Sequence, residues 1–277
     1  MATFFGEILP VTSRAFEDDD DEEEDDTFVG SSSIVFWSKA VQAEKAKDPK
    51  GRLSKLHTLI IAQGPAASGF IQTYVMEDKT FERVAGVFSG ISDEAVQTLE
   101  QLGKSDETCY LHRSTSTTGL MVCQCKTEVK PDQSFSWVTQ LFSGLDLSEC
   151  YVCVLASTPS SDYKSDVPIS ELQTPFLRAL KTARFGGTPV CPILEQPNMV
   201  TGLQAQILTY CQVHSIRAVL YLCYTESMFI DIHTITAFKP LLKATPIKDF
   251  PIQNNPKAEK MLLQIVKHHQ NQNLLYI

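Results

Sequence analysis

No stretch of the 277-residue sequence approaches the roughly 18 consecutive apolar positions that a membrane-spanning helix needs. The first apolar stretch, FFGEILPV, is broken by Glu7 and Pro10 and has no basic residue before it, which excludes an ordinary secretory signal. No stripe of Lys and Arg interleaved with aromatics is present either, so nucleic-acid binding has no electrostatic footprint. No internal repeat is visible. What these absences leave is a soluble, intracellular protein with no transmembrane segment, whose eight cysteines are expected to be reduced thiols.

What is present is a long, 43% apolar chain able to bury a substantial core. Its charge is very unevenly spread. The run Glu17–Asp26 (EDDDDEEEDD) is entirely acidic and accounts for more than the whole formal charge of −9, so the rest is close to neutral. Charges this dense repel one another and cannot bury enough surface to order themselves. The expected organisation is a disordered acidic segment over 1–32, an α/β domain over 33–269 and a C-terminal tail over 270–277.

Within the domain, apolar runs alternate with helical patterns. SSIVFW, LHTLIIAQG, FERVAGVFSGI, CYVCVLAS and IRAVLYLCYT read as strands, the last apolar on both faces and expected to be central. ETCYLHR and GLMVCQCK, joined by the polar loop Ser114 to Thr118, read as a hairpin. KAVQAEKAKDPKG reads as a charged helix or loop ending at Gly51, and helices are expected from Ser92 to Gly103, over SFSWVTQLFSG as far as Gly144, and over Phe176 to Thr182. Further helices are expected through Leu203, Ile207, Leu208 and Cys211, around Ile235 to Lys243, and from Pro256 to His269 with Ala258, Met261, Leu262, Ile265 and Val266 on its buried face. This order predicts a single-domain α/β fold with a mixed β-sheet flanked by helices on both faces.

Each candidate for chemistry has a plainer reading. Cys123 and Cys125 (CxC) with Cys150 and Cys153 (CxxC) come nearest to four metal ligands. Residues three apart on a strand point to opposite faces, however, so core packing is the stronger reading and no metal is expected. GPAASG (Gly64 to Gly69) could cradle a phosphate, but it lacks the Lys-Ser/Thr pair of a nucleotide loop, and a tight strand-to-helix turn is favoured. Ser68, Asp231 and His233 are residues a hydrolase would need, yet no nucleophile elbow frames the serine. His268 and His269 fit the carboxyl end of the last helix, where positive charge is stabilised. The sequence closes on QNQNLLYI, whose apolar end either docks on the protein's own surface or serves another one.

Several stretches resemble the proteasome assembly chaperone family. They are TFFGE (Thr3 to Glu7), PFLRALKT (Pro175 to Thr182), LEQPN (Leu194 to Asn198), YCQV (Tyr210 to Val213), LYLCYT (Leu220 to Thr225) and AFKP (Ala237 to Pro240). The resemblance implies a chaperone with neither catalytic residues nor cofactor, on a fold distantly similar to nucleoside phosphorylases. It implies heterodimerisation with a related subunit, proteasome assembly chaperone 2, binding to proteasome α subunits and α-ring precursors, and prevention of off-pathway ring association. It also implies that the carboxyl end carries a hydrophobic-Tyr-any motif entering a pocket between adjacent α subunits. Leu275, Tyr276 and Ile277 match that motif in order. The expected location is the cytoplasm, with an association with the endoplasmic reticulum left open. The alternative is a phosphorylase- or hydrolase-like α/β enzyme, which would need a concave pocket joining Ser68 to titratable groups. Phe4 and Phe5 are candidates for a second docking peptide or an added edge strand.

Overall fold

Two-faced apolar runs need a core on each side of a sheet, and the computed structural model supplies both. Described are residues 33–76, 80–89, 99, 109–126, 128–168, 171–226, 229–249 and 255–274. In chain order the elements are β1 (Ile34–Trp37), α1 (Lys39–Lys45), β2 (Thr58–Gln63), α2 (Gly64–Tyr74), β3 (Phe81–Phe88), β4 (Cys109–Ser114) and β5 (Leu120–Cys125). They continue with α3 (Pro131–Ser143), β6 (Tyr151–Pro159), β7 (Phe176–Lys181), α4 (Gly202–Val213), β8 (Arg217–Thr225), α5 (Ile232–Thr236) and α6 (Ala258–Leu274).

The strands form one mixed sheet in the order β1-β3-β4-β5-β2-β6-β8-β7. β5, β2, β6 and β8 run parallel, and antiparallel pairings complete both sides. Alternate residues of each inner strand enter opposite cores. Leu59 and Ile61 pack with Trp137, Phe142 and Ile207, under α3 and α4. Ile60 and Ala62 pack with Phe70, Phe238 and Leu262, under α2, α5 and α6. The predicted single-domain α/β architecture is therefore the observed one.

Several expectations change. The segment from Phe176 to Thr182 is a strand, β7, rather than a short helix. Its Leu, Arg, Ala and Lys favour a helix by propensity, but antiparallel pairing to β8 overrides that preference. The burial confirms period two: Leu177 and Ala179 enter one core, whereas Phe176 and Leu180 pack against the other. β8 lies between β6 and β7, second from the sheet edge, not at the centre. α6 continues past His269 to Leu274, so the QNQN stretch belongs to the helix.

The helix read from Ile235 to Lys243 is split into α5 and a 3-10 turn over Lys239–Lys243, with Pro240 in the turn's first positions, where its missing N–H is tolerated. Gly144 follows α3 as expected, but the reason is a close approach: a Cβ there would stand 2.6 Å from the Trp37 ring. The acidic run Glu17–Asp26, Phe4, Phe5, the helix read from Ser92 and Leu275, Tyr276 and Ile277 lie outside the described residues, apart from Leu99, which is buried beside Phe88.

Candidate functional site

The helices that follow β2 and β5 pack into opposite cores, α2 into one and α3 into the other. Where neighbouring parallel strands part in this way, a crevice opens beyond their carboxyl ends, and open α/β sheets hold ligands there. In this chain it is a cleft of about 600 Å³. Gln63 to Ala66 form one wall, and Lys126, Glu128, Val129 and Pro131 form another. The end of β6, Asp162, the first turn of α4, Thr225, Ile230 and Thr234 complete it.

The residues that a hydrolase would need are not assembled in the cleft. Ser68 is buried, and its Oγ donates to the Ala62 carbonyl at 3.5 Å. Asp231 caps α5 by accepting from the Thr234 N–H at 2.6 Å, and His233 follows within the same short helix. GPAASG is the start of α2 itself, with Gly64 at φ +82°. Its small residues let other helices close in: a Cβ on Gly69 would lie 3.3 Å from Ile235 and 3.4 Å from Ile265.

Cys123 and Cys125 share a face and enter one core with their sulfurs 4.0 Å apart. Cys150 and Cys153 enter opposite cores, and burial pushes each thiol up to about 12. No group of three or more His, Cys, Asp or Glu among the described residues could hold a metal ion. Because α6 runs to Leu274, His268 and His269 stand more than a turn before its end and do not cap it. Burial, then His268 and Lys126, depresses the His269 pKa.

Three of the quoted sequence blocks instead meet at the β7 edge. Arg178 of PFLRALKT pairs with Glu195 of LEQPN at 3.0 Å, and the Tyr163 hydroxyl also donates to Glu195. The guanidinium lies 4.8 Å from the Phe176 ring centre, and Phe176 stacks on Tyr224 of LYLCYT at 5.2 Å. Burial alone would push the Glu195 carboxyl up, but hydrogen bonds from Tyr163, its own backbone and Arg178 hold it below the usual value. Spacing on a strand gave no sign of this network, since its members come from separate segments; the family blocks were the one signal. Around it, Val167, Val190, Ile193 and Met199 are exposed on the connections flanking β7, Met199 to 80%.

These features define a mixed-sheet α/β protein in which three of the recognisable blocks meet at one sheet edge. A family model described as proteasome assembly chaperone 4 (PAC1) matches residues 1–277. Proteasome assembly chaperone 1 of Xenopus tropicalis is 35% identical over 291 residues, covering 100% of both chains, and that of Homo sapiens is 34% identical over 219 residues, covering 78% of this chain and 75% of the relative. The chain belongs to the PAC1 family of proteasome assembly chaperones.

Solved structures agree on the fold. Pyrococcus furiosus PbaA, an archaeal homolog of proteasome-assembly chaperone, superposes with a TM-score of 0.56 at 10% identity, covering 88% of this chain and 94% of that one. Pyrococcus furiosus PbaB, an archaeal proteasome activator, gives 0.53 at 12% identity, covering 89% and 100%. No helix among the described residues is long and apolar enough to cross a membrane.

Proposed function

We propose that this chain is a non-enzymatic scaffold for assembly of the proteasome core particle. It pairs with a related subunit, proteasome assembly chaperone 2, holds α subunits as their ring forms, and keeps rings from associating off pathway. The observation that carries this reading is the full-length match to a relative named for proteasome assembly. The exposed apolar side chains flanking β7 and the dispersal of Ser68, Asp231 and His233 favour a binding role over catalysis.

In this reading Leu275, Tyr276 and Ile277 dock in a pocket between neighbouring α subunits. Leu275 fills an apolar slot, the Tyr276 ring buries its face while its hydroxyl finds a polar partner, and the terminal carboxylate meets a Lys. α6 brings the chain to Leu274, and three extended residues beyond it reach about 10 Å. The body therefore rests close to the pocket.

Deleting Leu275–Ile277, or extending the chain by one alanine, is expected to weaken binding to purified α rings at least tenfold (about 1.4 kcal/mol). Pairing with the related subunit and the melting temperature stay unchanged. Equal ring affinity for the deleted and full-length chains in a pull-down titration would sink the docking role.

A further inference from the structure

The chaperone reading leaves the cleft at the strand ends without a task, although the chain has built it. Two polar side-chain atoms on its lining have no hydrogen-bond partner among the described residues. Gln63 Oε1 and Gln204 Oε1 are shielded from solvent and unpaired. Thr234 stands on the same lining, 8% exposed, its backbone N–H donating to Asp231. Buried polar groups are nearly always paired, and leaving one unmade is costly, so two around one cavity point to an occupant.

The donors around them are open as well. Thr201-x-x-Gln204 spells a capping box, in which the two side chains would close on the first turn of α4. The box does not form. Thr201 makes no cap bond, and Gln204 folds over Gly202, its Oε1 3.5 Å from where a Cβ would stand. α2 begins on the same cleft with Gln63 as an equally idle cap. Backbone N–H groups of both helices thus remain available, with Lys126 on the same lining. Asp162 and Glu128 line it too, Asp162 already accepting from Thr158 and Ser161 at 3.3 Å each.

We propose that this cleft binds a small hydroxylated oxyanion. Its phosphate or carboxylate lies toward the N-termini of α2 and α4 and Lys126, with the Thr234 hydroxyl donating to it. Its hydroxyls donate to the two carboxylates, and to Gln63 Oε1 and Gln204 Oε1 once those side chains turn into the cleft. A bare multivalent anion fits less well, because Asp162 and Glu128 would repel it without receiving a donor. The cleft volume falls within the roughly 300–1,000 Å³ typical of small-molecule pockets. The site is independent of the assembly reading and survives its failure.

The test titrates the full-length chain with ribose 5-phosphate, malate, inorganic phosphate and ribose, followed by saturation-transfer NMR. Saturable binding below about 1 mM is expected for ribose 5-phosphate or malate, identifying the phosphate or the carboxylate source, with inorganic phosphate and ribose at least tenfold weaker. Lys126→Met, at an exposed position, and Thr234→Val, a near-isosteric change, should each weaken binding about tenfold, whereas Thr234→Ser retains it. No saturable binding of either hydroxylated anion up to about 10 mM overturns the proposal. Binding that is indifferent to both Lys126→Met and Thr234→Val overturns it equally.

Discussion

His112 is where a single side chain sets a measurable property of the whole protein. It stands in register with Arg83 of β3 and Val122 of β5. Burial first, then the positive charges of Arg83 and Lys126, push its pKa down from 6.5 to about 4. Between those values the unfolded chain binds a proton that the folded chain refuses, so stability is complete above pH 6.5 and declines as pH falls toward 4. The loss from this residue is about 3 kcal/mol across the window. Urea unfolding at pH 7 and pH 4.5 should show it, and His112→Gln should flatten the difference; an unchanged pH slope in that variant would refute the assignment. Carboxylates add their own slope at the acid end, Glu195 among them, because its pKa is also depressed. The opposite burial of Cys150 and Cys153 could be read directly from strand period. The partners of His112 could not, because Arg83 and Lys126 reach it only across three strands whose pairing no local pattern specifies.

At the scale of elements, what was legible followed from two-sided burial. β2 and β8 are apolar on both faces, which left them little choice but inner strands. β7 shows the limit. Its residues favour a helix locally, and only the exposed edge of β8 makes them a strand, a long-range fact absent from its own six residues. The end of α6 was missed for a related reason: Gln and Asn leave no apolar spacing to follow, yet the helix continues through them. That continuation matters if Leu275–Ile277 dock. α6 is anchored by buried Leu262 and by Ile265 against Gly69, and it carries the chain in helical form to Leu274. Inserting two glycines after Leu274 adds freedom that binding must remove, at about 1–2 kcal/mol per residue. The expected outcome is a roughly tenfold or greater loss of α-ring affinity at an unchanged melting temperature. An insertion that leaves affinity intact would show that α6 does not orient the tail.

For the molecule as a whole, if Leu275–Ile277 dock on an α ring as proposed, the division of work between body and tail can be judged by magnitude. Burying Leu275 and Tyr276 is worth about 3–6 kcal/mol, and ordering three backbone residues costs about the same. The tail by itself is near break-even, and any affinity it shows must come through attachment to a body already on the ring. Attachment converts its docking into an intramolecular step, whose effective concentration for a short tether is of millimolar order. The body needs a surface of its own, and the exposed Val190, Ile193 and Met199 beside the Arg178–Glu195 edge offer apolar area for one. A peptide spanning 270–277 should therefore bind α rings at least about a hundredfold more weakly than the full chain in a competition titration. If the peptide competes on equal terms, the tail carries the interaction and the folded α/β body is a spacer.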